Sequence, residues 1–224
     1  MCSPWDLETV KNALAPADVR GKRVLEVGSL DVNGSVRGDI VAFGPAEYVG
    51  IDIRPGPGVD VVCDAGDLVA RFGDNAFDVV ISTELLEHAR DWRRIISNIK
   101  RVTRAHGVMI VSTRSYGVDF HRQPFDYWRY QKEDFEAIFA DVAVEDLRLD
   151  PTDPGLLIKA RKPEPFVERD LSSLALYSIL RRRRQRDHSR LDVAIFLVRY
   201  RLVRLLKDLS PKRYRAAIHW RFMH

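Results

Sequence analysis

The 224-residue sequence predicts an α/β fold, a mostly parallel sheet with helices on both faces, followed by a basic helical extension. Three observations carry this. Short Val- and Ile-rich runs alternate with helix-length segments, which calls for right-handed crossovers between parallel strands. The first run ends in Glu26-Val27-Gly28 and enters a polar turn, Ser29 to Asn33. Charge also divides the chain. Residues 161–224 carry 17 Lys or Arg against 6 Asp or Glu, a net +11, whereas residues 1–160 carry 19 against 26, a net −7.

Pro4 to Leu14 predicts a helix, capped by Ser3, with Pro4 in its first turn and Trp5, Leu7, Val10 and Leu14 on one face. Val24 to Val27 is a strand. Gly34 to Phe43 is expected as the first crossover helix, ended by Gly44-Pro45. Tyr48 to Ile53, Val59 to Asp64, Phe77 to Ser82 and Val108 to Ser112 read as further strands, with a short helix over 67–72. Asp91 to Thr103 is amphipathic. Trp92, Ile95, Ile96, Ile99 and Val102 line one side, and Arg93, Arg94, Lys100 and Arg101 read as a solvated face. Lys132 to Phe139 is a helix, and segments 142–148 and 155–161 a closing antiparallel pair.

Composition excludes several classes. No run of about 18 apolar residues suggests a membrane span, and no basic region followed by an apolar run suggests a signal peptide. Cys2 and Cys63 lack metal-ligand spacing, and Cys63 reads as a buried thiol in a strand. The expectation is a reducing, cytoplasmic setting. Pro163-Glu-Pro165 marks a boundary, giving a domain over 1–162 and an extension over 163–224. In the extension, Arg169 to Arg186 is expected as a helix ending in RRRRQR, residues 191–207 as a second, and Pro211 onward as a short third.

Four sequences in this order and spacing carry a family resemblance: Glu26-Val-Gly28, Asp52 about 26 residues later, Asp64-Ala65, and Ser82-Thr-Glu-Leu-Leu-Glu-His88. Over residues 20 to 160 the chain resembles the class I S-adenosylmethionine-dependent methyltransferases, in a branch with an LEH sequence after the fourth strand. The resemblance implies a Rossmann-like, seven-stranded sheet. It departs from the family at the loop, where Leu30 and Val32 replace two glycines. It also implies roles. Glu26, Gly28 and Ser29 would hold the methionine end of S-adenosylmethionine. Asp52 would take the ribose hydroxyls, Ile53 the adenine face, and Asp64 and Ala65 the adenine edge. Ser82 and Thr83 would flank the sulfonium.

The chain beyond the fourth strand bears on the acceptor. Enzymes that methylate planar nitrogens often carry Asn/Asp-Pro-Pro-Tyr/Phe where this chain has Ser82-Thr-Glu-Leu85, so a hydroxyl acceptor is expected. His88 and His121 are candidate catalytic bases, with His121 preferred because its loop should cover the acceptor. The loop from Arg114 to Tyr130 is dense in aromatic and hydrogen-bonding residues, a mix suited to sugars. Glu84, Tyr116, Asp126, Tyr127, Trp128 and Arg129 are its candidate substrate contacts. Asp119, His121 and Glu84 could hold a divalent cation such as Mg2+, as in some sugar O-methyltransferases. The loop resembles glycan-linked methyltransferases, those of mycobacterial methylmannose polysaccharides being one type, so the partner expected is a small-molecule or oligosaccharide substrate.

Two rival readings are a small lipid or quinone-like acceptor met at a membrane, and a cofactor- or partner-binding protein without turnover. For the basic extension the readings are a homodimer contact, peripheral docking on an anionic membrane, or nucleic-acid binding, the last disfavoured because no nucleic-acid module is present.

Overall fold

The computed structural model describes residues 3–118, 120–121 and 125–209. Its first eight strands are β1 (Arg23–Val27), β2 (Glu47–Asp52), β3 (Val61–Val62), β4 (Phe77–Ser82), β5 (Thr103–Arg114), β6 (Trp128–Arg129), β7 (Ala143–Leu149) and β8 (Gly155–Arg161). All but β6 form the main sheet, in the order β3-β2-β1-β4-β5-β8-β7. Strands β1 to β5 run parallel, and β7 and β8 close the sheet antiparallel. The strand order reverses between β1 and β4. That places a crevice at their C-terminal ends, where open α/β sheets bind ligands.

Period-two alternation sends successive side chains to opposite faces. Val24, Val79, Ile81, Val108 and Ile110 pack with Val10 and Leu14 of α1 (Pro4–Ala13) and its C-terminal end, and with Ile40 of α3 (Arg37–Val41). Leu25, Val27, Val80 and Met109 face α5 (Trp92–Val102) and α6 (Lys132–Ile138). Two short helices, α2 (Pro16–Val19) and α4 (Leu68–Phe72), complete the layers. Ser3 caps α1 in a reciprocal box with Asp6.

Four expectations are corrected. The first crossover helix begins at Arg37, not Gly34, whose φ of +120° is incompatible with a helix. Only two residues of the third strand pair with the sheet. Arg169 to Arg186 forms no helix. It contains a hairpin, β9 (Leu176–Ser178) and β10 (Arg183–Gln185), which joins β6 in a second sheet. The basic face of α5 is solvated at Arg94 and Arg101 but not at Arg93 and Lys100. Arg93 donates to the carbonyls of Leu171 and Leu174 and pairs with Asp187, anchoring the extension. Lys100 is fully buried and ion-paired with Asp141 at 2.7 Å.

The last described helix, α7 (Arg190–Leu209), covers the expected second helix. Its buried Phe196 and Val203 face inward, and Phe196 packs on Phe120 and Phe125 of the loop after β5. No helix among the described residues is long and apolar enough to cross a membrane. The third helix of the extension and Cys2 lie outside the described residues.

Candidate active site

A cavity of about 350 Å³ opens at the reversal point, within the range of roughly 300–1,000 Å³ common for ligand sites. Its walls come from four strand ends. Gly28, Leu30 and Val32 follow β1. Asp52, Ile53 and Arg54 end β2. Cys63, Asp64, Ala65 and Gly66 follow β3. Glu84, Leu85 and His88 follow β4. Arg90, Asp91, Arg94 and Ile95, at the start of α5, complete it.

The loop after β1 depends on two close approaches. Gly28 has φ +84°, and a Cβ there would come within 2.7 Å of Leu85 Cδ1. Leu30, which replaces one of the family's loop glycines, is accommodated from across the cleft, and Val32 is exposed. Leu30 lies where a side chain on Gly56 would stand, and the Ser29 carbonyl where one on Gly58 would. The Asp31 amide donates to Pro57 O at 2.9 Å and ties the two loops together. At Leu30 the missing glycine has a counterpart, Gly56, in the facing turn.

Asp52 accepts from the Arg54 amide at 2.9 Å, and Asp64 from the Gly66 amide at 2.7 Å, which fixes both carboxylates at the rim. Ile53 is 52% exposed although it lines the cavity. Cys63 is a free, half-buried thiol on the wall, not the buried strand residue expected.

Other sequence candidates stand back from the cavity. Glu26 shares the face of Val24 and takes a 2.8 Å hydrogen bond from the Tyr48 hydroxyl. Burial, opposed by that bond, pushes its pKa up to about 7. Between the unfolded value of 4.5 and about 7 the folded chain keeps a proton that the unfolded chain has lost, so stability falls as pH rises through this window. Glu26→Gln should remove that slope. Denaturant titrations should show it matching the parent near pH 4 and exceeding it near pH 8, by up to roughly 3 kcal/mol. Parallel stability curves would contradict this account. Ser29, Ser82 and Thr83 are buried and do not line the cavity.

The long loop is used differently from expectation. Asp126, Trp128 and Arg129 are fully buried. Arg129 grips Asp126 with two hydrogen bonds, of 2.5 and 2.7 Å, and also donates to the Val118 and Trp128 carbonyls. Trp128 donates to Ala89 O at 2.9 Å and packs 4.1 Å from the His188 ring. These three residues brace the loop, and none of them lines the cavity. Tyr127 is half-buried between Phe125 and His188, and exposed Tyr116 packs edge-on against Tyr177.

His88 and His121 do come together, with ring centroids 5.0 Å apart. His88 lines the cavity, and His121 lies behind it. The sequence reading missed Glu87, which is fully buried between them. Its Oε1 is 3.8 Å from His88 Nε2 and 3.9 Å from His121 Nε2. The signal was available in the LEH sequence, which puts Glu87 beside His88 in a single 3₁₀ turn, Leu86–His88. Burial, opposed by Asp126, lowers the pKa of His121 and favours neutral imidazole.

Glu84 has φ +52°, a conformation side-chain-bearing residues adopt only when their surroundings enforce it. It is ion-paired with Arg114, and burial together with nearby Glu87 holds its carboxyl above the usual range. The cation trio expected from the sequence falls only partly within the described residues. Glu84 is engaged by Arg114, and Asp119 lies outside the described residues.

Residues 6–140 match a family described as a methyltransferase domain. The chain belongs to that family. Solved structures agree on the fold. One is the Burkholderia thailandensis 1,6-didemethyltoxoflavin-N1-methyltransferase bound to 1,6-didemethyltoxoflavin and S-adenosylhomocysteine. It is 17% identical, with a TM-score of 0.56 over 70% of this chain and 78% of that one. An S-adenosylmethionine-dependent methyltransferase from Mesorhizobium loti is 18% identical, with a TM-score of 0.50 over 69% and 96%. The [4+2]-cyclase SpnF, named for a different reaction, is 17% identical, with a TM-score of 0.53 over 70% and 81%. At these identities the likeness concerns the fold alone. No curated protein matches the sequence.

Proposed function

We propose that this methyltransferase-family protein transfers the methyl group of S-adenosylmethionine to a hydroxyl of a small polar acceptor. The observation carrying the reading is that one cavity joins the strand-end residues Gly28, Asp52, Ile53, Asp64 and Ala65 to His88. The cofactor suits these donors. Asp52 offers a carboxylate for ribose hydroxyls, exposed Ile53 an apolar face for adenine, and Asp64 and Ala65 its edge. Gly28 lets the backbone pass close to the methionine portion. When bound, the cofactor supplies an electrophilic methyl group on sulfonium. The chain's part is alignment of an oxygen with that methyl and assistance in losing the hydroxyl proton at the Glu87–His88–His121 cluster. Residues 1–162 carry the reaction in this reading, and the described part of the 163–224 extension, through β9, His188 and Phe196, braces the loop that holds His121.

A sugar or polysaccharide precursor, such as a methylmannose chain, is the narrower form of the proposal. It rests on Tyr116 and Tyr127, since Asp126, Trp128 and Arg129 are buried and Glu84, though on the cavity wall, is buried and paired with Arg114. The test is a labelled-methyl transfer screen of mannosides, glucosides, phenols and N-heterocycles. Label on a glycoside hydroxyl supports the narrow form, label on another hydroxyl the broad form, and label on nitrogen alone overturns the oxygen assignment. Asp52→Ala should weaken S-adenosylhomocysteine binding about 10- to 100-fold through loss of a charged acceptor. Unchanged affinity in calorimetry would remove Asp52 from the site.

A second reading is favoured by α7. Ile195, Val198, Leu202, Leu205 and Leu206 are exposed along it, interleaved with Arg199, Arg201 and Arg204. Such a helix suits an anionic membrane surface, where a lipid or quinone-like acceptor would be met. The full chain should then sediment with anionic but not neutral vesicles, and salt should release it. Equal recovery with both vesicle types would count against this reading, and a dimer in sedimentation equilibrium would assign the stripe to self-association.

A further inference from the structure

Three electron-pair donors converge at the His88 end of the cavity. Glu87 is fully buried. Its Oε2 accepts from the Thr113 hydroxyl at 2.8 Å, and its Oε1 has no hydrogen-bond donor. His88 Nδ1 lies 2.6 Å from Phe125 O. A carbonyl only accepts, so Nδ1 carries a proton, and in the neutral imidazole the buried, unpartnered Nε2 presents a lone pair. His121 Nδ1 lies 3.3 Å from Asp126 Oδ2, a carboxylate held in place by Arg129, and its Nε2 faces Glu87.

The distances decide what can sit among these atoms. Glu87 Oε1 is 3.8 and 3.9 Å from the two Nε2 atoms, and all three ligand atoms lie within 4.8 Å of one another. Those separations are too long for a shared proton. Glu87 Oε1 and His88 Nε2 are buried acceptors facing one another without a donor. With the imidazole neutral such a pair is mutually repulsive, and a cation beside it removes the repulsion.

We propose that Glu87, His88 and His121 bind one divalent transition-metal ion. Two imidazoles with one carboxylate suit Zn2+, Mn2+ or Fe2+ better than Mg2+, which prefers oxygen ligands. Bonds of about 2.0–2.2 Å require the donors to close in by roughly half an ångström. The closing falls to His121, the more exposed of the two histidines, at 26% side-chain exposure against 10%. Phe125 O and Asp126 fix the ring orientations, as outer partners of metal-ligating histidines do. The cavity gives the ion its entrance, because His88 lines it. A further coordination position facing the cavity would take the acceptor oxygen and lower its pKa. That consequence, unlike the binding itself, rests on the proposed methyl transfer.

The test uses the full chain, stripped with chelator and dialysed, titrated separately with Zn2+, Mn2+ and Mg2+, with metal content read by mass spectrometry. The parent should bind one Zn2+ or Mn2+ per chain. Glu87→Gln and the milder, more exposed His121→Ala should each weaken that binding at least about 100-fold. No stoichiometric ion in the parent, parent-like affinity in both variants, or preference for Mg2+ would overturn the site. S-adenosylhomocysteine titrated into the same samples reports the cavity independently. Metal binding without product binding would support this site and strike the methyl-transfer reading alone.

Discussion

Arg129→Met should lower the melting temperature by roughly 6–20 °C. The substitution leaves the Asp126 carboxylate fully buried without its guanidinium. Breaking one side of a buried pair costs about 3–5 kcal/mol, because a charge then stays in low dielectric uncompensated, and about 2–4 °C accompanies each kcal/mol in a chain of this length. Arg129 also satisfies the Val118 and Trp128 carbonyls, so the loss is shared among several acceptors. Asp126 accepts from the His121 amide at 3.0 Å, and loosening it should also misplace the His121 ring. Turnover should fall beyond what the stability loss explains when measured well below the melting temperature. A melting shift smaller than about 2 °C would show that water or another cation replaces the arginine.

His121→Ala should reduce turnover by about 10²–10⁴, the range for loss of a group that assists proton removal. Product affinity should stay within about twofold, a negligible free-energy change, because His121 stands behind the cavity wall and not on it. The split between kcat and cofactor binding is the informative readout. A matching loss of S-adenosylhomocysteine affinity would mean that the loop, and not the imidazole, was disturbed. Parent-like turnover in both His121→Ala and His88→Ala would remove the pair from the reaction.

The sheet was legible because its information is local. Val-rich runs, glycines at strand ends and a capped amphipathic helix all act within a few residues. The Arg169–Arg186 hairpin was not. Its second half holds two apolar residues, Ile179 and Leu180, among five arginines, which suits either structure, and pairing with β6 some fifty residues away decided it. Arg93 and Lys100 looked solvated for a similar reason. Helical periodicity gives the face a residue occupies but not what the chain later lays over it. At the site, Asp52, Ile53, Asp64, Ala65 and His88 could be placed on one cavity because strand ends in a parallel sheet share an edge. Glu26 shows the limit of that logic, since alternation turns its carboxylate toward Tyr48. The aromatic loop misled most. Its composition suits a sugar, yet burial of Trp128 and Arg129 makes it a brace, and the residue it frames, Glu87, lies some forty positions earlier.

The most direct test of the central claim is calorimetric titration of the full chain with S-adenosylhomocysteine. One molecule per chain at micromolar affinity, weakened in Asp52→Ala, is the predicted result. Absence of binding would contradict the account, because the cavity at the ends of β1, β2 and β4 would then not be a methyl-donor site.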